Sequence, residues 1–200
     1  MDKNGRNAPC RCGSGKKFKQ CCLSGTLASS PIRPGANLGV LLATARAQLD
    51  AGHIEAAAVA YEAVLAAQPK HANALHLLGA ISLQLGREDT ALGYIDRAIA
   101  ENPNNAYAHS NRGEVLRRQS KLAAALAALD RSITLLPELL EAHYNLAAVY
   151  EDLGDPEKVL KCYRRIVQLA PGDHEGHRLL GSAVLETGAH EEALAHLNHA

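Results

Sequence analysis

An all-α solenoid of stacked helical hairpins is the fold class this sequence predicts, and three periodic observations predict it. Pro69, Pro103, Pro137 and Pro171 stand 34 residues apart. Proline lacks an amide hydrogen and disfavours the helical conformation of the residue before it, so a proline at fixed phase marks a repeated helix boundary. Small residues recur in the same phase: Ala45, Gly79, Gly113, Ala147 and Gly181 at one site, and Ala57, Ala91, Ala125 and Ala193 at a second, where Val159 is the exception. Between those sites fall Gly52, Gly86, Ser120, Gly154 and Gly188, at which a first helix can stop in a left-handed cap. A single hairpin cannot bury both of its faces, so neighbours must stack into one continuous core.

Composition sets the frame for the rest. The 200 residues are 47% hydrophobic and 21% charged, as in an ordinary globular protein, and Lys plus Arg equals Asp plus Glu at 21 each. The whole molecule therefore offers no electrostatic argument for nucleic acid or an anionic membrane, and any basic patch must be local. The start, Met1 to Arg6, is polar, and no run of about 18 apolar residues follows. The expectation is a soluble cytoplasmic protein without a secretory signal or membrane span. Thiols stay reduced in that compartment, so clustered cysteines read as metal ligands before disulfides. Four of the five cysteines precede residue 23.

Residues 1–23 form the first predicted unit. Cys10 and Cys12 stand one residue apart, Cys21 and Cys22 are adjacent, and eight residues separate the pairs. Zinc takes four soft ligands at tetrahedral corners about 2.3 Å from the metal, and two short cysteine pairs joined by a reversing loop can supply them. Gly13 and Gly15 provide the loop's tight turns. A four-thiolate centre carries a charge of about minus two, which Arg11, Lys16, Lys17 and Lys19 would offset, and Phe18, the one Phe of the chain, would form a one-residue core. So small a unit cannot fold by burial alone; one structural zinc would have to contribute about 10–16 kcal/mol. A phosphate loop is excluded because Cys10 and Lys17 occupy the places where that motif needs Gly and Ser or Thr. A redox dithiol is the competing use of the thiols, but no thioredoxin-like strand and helix pattern follows. The stretch resembles the SEC-C motif, with Pro9-Cys10, Cys12-Gly13-Ser14-Gly15-Lys16-Lys17, Lys19 and Cys21-Cys22 in its pattern. The resemblance implies zinc binding and a docking module for a protein partner, with ribosome or nucleic-acid contact through Arg6, Arg11, Lys16, Lys17 and Lys19 as a further reading.

Residues 24–37 carry Ser24, Gly25, Ser29, Ser30, Pro31, Pro34 and Gly35, a density of breakers that reads as a flexible linker. Placing each ladder proline at position 32 then divides 38–200 into units 38–71, 72–105, 106–139, 140–173 and a partial 174–200. Large residues fill position 24: Tyr61, Ile95, Leu129, Tyr163 and Leu197. This small, large and proline signature resembles the tetratricopeptide repeat family, which implies a right-handed superhelix binding polypeptides. Departures are His109, His143 and His177 at the often aromatic position 4, Thr44 and Arg112 at position 7, and Val159 at position 20.

In that family the first helices line the concave groove through positions 2, 5, 6, 9, 12 and 13. A carboxylate clamp would need Lys or Arg and Asn at particular sites, and position 5, reading Leu42, His76, Ser110, Tyr144 and Arg178, lacks it. Asn111 and Asn145 at position 6 can offer amides to an extended peptide, like a short piece of the asparagine ladder of O-linked N-acetylglucosamine transferases. Polar filler on an exposed helix edge is the competing use. Tyr107, Tyr144, Glu114, Arg117 and Arg118 surround the two Asn, so the expected peptide site is Tyr107, Asn111, Glu114, Arg117, Tyr144 and Asn145.

No catalytic residue is expected. His109, His143 and His177 lie in successive repeats and cannot converge on one metal, because helices pack roughly 8–10 Å apart and equivalent helices lie two packings away. They are expected to be packing residues; His190, His196 and His199 are expected on an exposed helix face, and Cys162 as an apolar filler. The reading is a zinc-containing scaffold that binds protein or peptide partners. The alternative is the substrate-recruiting front of a larger transferase, of the O-linked N-acetylglucosamine or sulfotransferase type. It is motivated by the Asn pair and by a fifth unit that stops five residues before its proline, with Leu194 and Leu197 uncapped.

Overall fold

The computed structural model describes residues 37–200. Every regular element among them is an α-helix, and the ten form five hairpins. These are α1 (Leu38–Asp50) with α2 (Ile54–Ala67), α3 (Ala72–Gln84) with α4 (Glu88–Glu101), and α5 (Ala106–Arg118) with α6 (Leu122–Leu135). Two more follow, α7 (Leu140–Asp152) with α8 (Pro156–Leu169) and α9 (His174–Glu186) with α10 (His190–Leu197). None is long and apolar enough to cross a membrane.

The turn inside each hairpin is built the same way. Gly52, Gly86, Ser120, Gly154 and Gly188 all have φ between 59° and 83°, the left-handed region that glycine enters without a Cβ penalty. In the first four hairpins the amide directly after this residue reaches back across the last turn. His53 N–H donates to Gln48 O, Arg87 to Ser82 O, Lys121 to Leu116 O and Asp155 to Tyr150 O, at 2.8–3.0 Å. These are Schellman closures, which satisfy carbonyls that a helix end would otherwise orphan. Ser120 is the non-glycine exception.

The ladder prolines act at the other end. Gln68, Asn102, Leu136 and Ala170, each directly before one, leave the helix at φ near −138° and ψ near 88°. That is the extended conformation a following proline imposes. The three imidazoles at position 4 then fasten this turn: His109, His143 and His177 each place Nε2 at 2.9–3.1 Å from the carbonyl of Pro103, Pro137 and Pro171. They are packing residues, as expected, with a specific hydrogen-bonding task in addition.

Packing inside each hairpin follows a correlation visible across the five units. Where the small site of the first helix is Gly (Gly79, Gly113, Gly181), the large residue of the second helix is a branched aliphatic (Ile95, Leu129, Leu197); where it is Ala (Ala45, Ala147), that residue is Tyr (Tyr61, Tyr163). A Cβ at Gly79 would lie 2.5 Å from Ile95 Cγ1, at Gly113 2.5 Å from Leu129 Cγ, and at Gly181 2.8 Å from Leu197 Cγ. A γ-carbon pressed against the opposing backbone leaves no room for a methyl group. The core runs along the stack in two main clusters, one on Tyr61, Leu78 and Ile95 and the other on Leu129, Tyr163 and Ile166. Cys162 is buried in the second, as an apolar filler should be, and burial pushes its thiol up to about 11.

A candidate peptide-binding face

Which side of the stack is concave follows from which equivalent helices touch. α3 contacts α5 and α5 contacts α7 directly, whereas no two of α2, α4, α6, α8 and α10 do. Equivalent helices converge on the inside of a curve, so the first helices form the inner wall. Small residues at position 3 accompany this: Ala74, Ala108, Ala142 and Gly176 are all buried, and a Cβ at Gly176 would meet Ile166 Cγ2 at 2.8 Å. This third small column was readable in the 34-residue phase and was not among the positions singled out.

Along the inner wall, polar side chains link neighbouring repeats at a constant offset of 35 residues. Asn111 Nδ2 lies 3.2 Å from His76 Nε2, and Asn145 Nδ2 donates to Ser110 Oγ at 3.1 Å. Nearer the helix ends, Arg118 Nη1 reaches Leu83 O at 3.4 Å and Arg117 Nη1 donates to Asp152 Oδ2 at 3.0 Å. The offset is one repeat plus one residue, which aligns position 6 of one repeat with position 5 of the one before, and position 13 with position 12. The two Asn expected to greet a peptide therefore each commit one amide hydrogen to the preceding repeat. Asn111 donating to Nε2 requires His76 to carry its proton on Nδ1, and burial holds this imidazole below its ordinary pKa.

Glu114 is the hub of the middle seam. Arg117 donates to it through Nε (2.9 Å) and Nη2 (3.1 Å), and Arg118 through Nε (2.6 Å). Partial burial pushes the Glu114 carboxyl up, but the hydrogen bonds from Arg117 and Arg118 outweigh it and leave the carboxyl below its usual range. The Glu114 hydrogen bond raises Arg117 further above its ordinary value. These guanidiniums tie the repeats of α3, α5 and α7 together through Leu83 and Asp152. Tyr144 turns away from the hub and donates from its hydroxyl to Asp173, just before α9. Burial and then that bond raise the Tyr144 phenol, while the same bond, its largest influence, lowers Asp173. Tyr107 is half exposed, with its ring centroid 6.2 Å from that of His76. It borders a crevice of about 350 Å³ lined by Asn73, His76, Asn104, Asn105 and Leu135.

Three further histidines meet at the last hairpin. His196 Nδ1 lies 3.1 Å from His177 Nδ1, and the His199 ring stacks on His177 with centroids 5.2 Å apart. Because His177 commits Nε2–H to Pro171 O, its Nδ1 accepts and His196 donates. Among the described residues no three His, Cys, Asp or Glu side chains are grouped to hold a metal. Cys10, Cys12, Cys21 and Cys22 lie outside the described residues.

Comparison with known proteins agrees with this architecture. Tetratricopeptide repeat models match residues 42–106, 89–139 and 140–173, and the SEC-C motif matches residues 6–24. Over 22 residues the chain is 82% identical to the uncharacterized protein YecA of Escherichia coli (strain K12) and 73% identical to the protein translocase subunit SecA of Desulfotalea psychrophila. Those stretches are 11% of this chain and only 10% and 3% of the two relatives. Among solved structures, MamA aligns with TM-score 0.65 and 24% identity over 78% of this chain and 91% of its own. A thermophilic tetratricopeptide repeat protein of Thermus thermophilus, TTC0263, aligns with TM-score 0.67 and 24% identity over 80% and 88%. Pseudomonas aeruginosa pilF aligns with TM-score 0.73 and 19% identity over 81% and 74%. At these identities the likeness is one of fold. With its hairpin stack, proline ladder and matched repeats, the chain belongs to the tetratricopeptide repeat family and carries a SEC-C motif before the repeats.

Proposed function

We propose that this chain is an interaction scaffold whose inner wall, formed by α3, α5, α7 and α9, receives an extended segment of a partner protein. The observation that supports the reading is the seam of 35-residue links, which holds α3, α5 and α7 side by side; on this reading Tyr107, Asn111, Glu114, Arg117, Tyr144 and Asn145 are the residues that meet the peptide. Asn111 and Asn145 keep their carbonyl oxygens for a peptide's N–H groups, and Tyr107 supplies an aromatic surface beside its crevice. A photo-cross-linking residue placed at 107 or 182 on this face should capture a partner, while the same residue at 127 or 165 on the second helices should not. Equal capture from both faces, or none from the inner one, overturns the reading.

The donor set Cys10, Cys12, Cys21 and Cys22 fits one structural zinc ion, with four thiolates and no competing carboxylate among them. Bound there, zinc would cross-link two cysteine pairs in a segment too short to fold by burial. Residues 1–23 then serve as a second docking module, joined by residues 24–37 to the repeats 38–200, and reduced thiols suit a cytoplasmic location. Metal analysis should find one zinc per chain, and Cys21→Ser should release it. Chain purified without chelators that holds no zinc and has four freely reactive amino-terminal thiols would end this reading.

A further inference from the structure

At positions 12 and 13 the 35-residue seam sets a guanidinium against an oxygen acceptor where α3, α5 and α7 touch, whereas α7 and α9 make no direct contact. Between the second and third repeats a guanidinium, Arg118, meets the Leu83 carbonyl; between the third and fourth, Arg117 meets Asp152. At the same offset between the fourth and fifth repeats stand Glu151 and Glu186. Two carboxylates stand at the offset where each of the two preceding seams has a guanidinium with an oxygen acceptor. Two carboxylates bordering one space disfavour each other's charge, and a cation set between them is attracted to both.

Both residues border a cavity of about 520 Å³. Its floor is apolar, made by Val159, Tyr163, Leu179 and Ala183, and none of its lining residues is Lys or Arg. Asp155 also borders it but is paired with Lys158 at 2.7 Å. Glu151 is held in place because Tyr163 donates to its Oε1 at 2.6 Å, leaving Oε2 for another donor. Glu186 has no ion-pair partner among the described residues. The cavity thus combines an apolar trough, fit for an aliphatic stem, with two carboxylates at its border.

We propose that this cavity is a specificity pocket for an arginine side chain of the partner peptide, whose guanidinium bridges Glu151 and Glu186 and so links α7 to α9 as Arg117 and Arg118 link α3, α5 and α7. The inference rests on the inner-wall reading above and names the partner's chemistry: an extended segment carrying arginine. Arginine suits the pocket better than lysine because its planar fork can donate to two carboxylates at once.

The test uses the full chain, ¹⁵N-labelled, titrated with acetyl-Gly-Gly-Arg-Gly-Gly-amide and with its lysine and citrulline counterparts. The arginine peptide should shift the amides of Gly154, Leu179 and Ala183; lysine should do so more weakly, and citrulline, isosteric but neutral, should not. Glu151→Gln and Glu186→Gln should each weaken binding by about tenfold or more, the usual range for a hydrogen bond to a charged group. Glu186→Arg should supply the cation from within, abolishing binding while raising the thermal midpoint. Silence of those three amides with the arginine peptide, equal shifts with citrulline, or undiminished binding by Glu186→Gln overturns the proposal. Cross-linking from position 107 with a silent pocket would retire the arginine pocket and leave the groove standing. Arginine binding without inner-face capture would instead retire the groove and leave a guanidinium pocket.

Discussion

Two glycine-to-alanine substitutions in helices of this stack should change stability in opposite directions. Gly93 lies in α4 with nothing within 4 Å of a built Cβ. Gly93→Ala therefore gains only helix propensity, about 0.5–1 kcal/mol of stabilisation. Gly113 gains the same propensity, but its new methyl group would sit 2.5 Å from Leu129 Cγ and 2.8 Å from Cδ2. Leu129 is fully buried, and its branch carbon cannot swing aside as a flexible tip could, so overpacking costs about 1–3 kcal/mol. The net for Gly113→Ala is a destabilisation of up to about 2.5 kcal/mol. The correlation between the small and large sites adds a stronger demand: Leu129→Tyr, placed on the Gly113→Ala background, should recover part of the loss, because Ala with Tyr is the combination of the first and fourth repeats. Urea unfolding of the two singles and the double, read by circular dichroism and by hydrogen exchange in α5 and α6, measures the coupling. If Gly113→Ala stabilises as much as Gly93→Ala, the close-approach argument fails; if the double is simply additive, the pairing rule fails.

Acid should weaken the solenoid through His76 and His196. Burial lowers the pKa of both below 6.5, and the proximity of His177 lowers His196 further, so the unfolded chain binds protons first as pH falls. Stability is then complete above about pH 6.5 and declines as pH drops through the depressed folded values, a trend visible in urea midpoints at about pH 7.5 and pH 5; a flat profile would contradict it. Ser120→Gly should stabilise by about 0.5–1 kcal/mol, since Ser holds φ 59° at a position where every other repeat has glycine, and a lower thermal midpoint would refute the reading. Cys162, buried and with a thiol near 11, should resist iodoacetamide in the native chain and react only on unfolding. Rapid native alkylation, located by peptide mass mapping, would show that α8 opens locally.

Much of the fold was legible because its punctuation is local chemistry. Proline restrains its own neighbour and glycine tolerates positive φ, so the ends of α2, α4, α6 and α8 and the hairpin turns followed from single residues. The inner wall was less legible. A repeat read in units of 34 puts Asn111 beside Leu77 and Arg117 beside Leu83, whereas the packed helices place Asn111 against His76 and Arg117 against Asp152. That one-residue displacement arises from how one inner helix lies across the next, which no property of either helix alone encodes. For the same reason Glu151 and Glu186 passed unnoticed, being ordinary surface carboxylates until the offset is known. His109, His143 and His177 were placed as packing groups, but their shared acceptor, a ladder carbonyl six residues upstream, emerges only when the turn closes.

Five near-identical hairpins present a folding chain with a problem of order, since any one could dock on any other by hydrophobic contact alone. At the two middle junctions the seam answers it with links that differ: amide to imidazole and guanidinium to carbonyl at one, amide to hydroxyl and guanidinium to carboxylate at the next. A hairpin docked out of turn would set mismatched partners face to face and leave polar groups buried without a bond, whereas among the described residues of the native stack no buried side-chain polar atom lacks one. The links thus work as keys cut to their neighbours, each accepting the next repeat in sequence and rejecting its siblings.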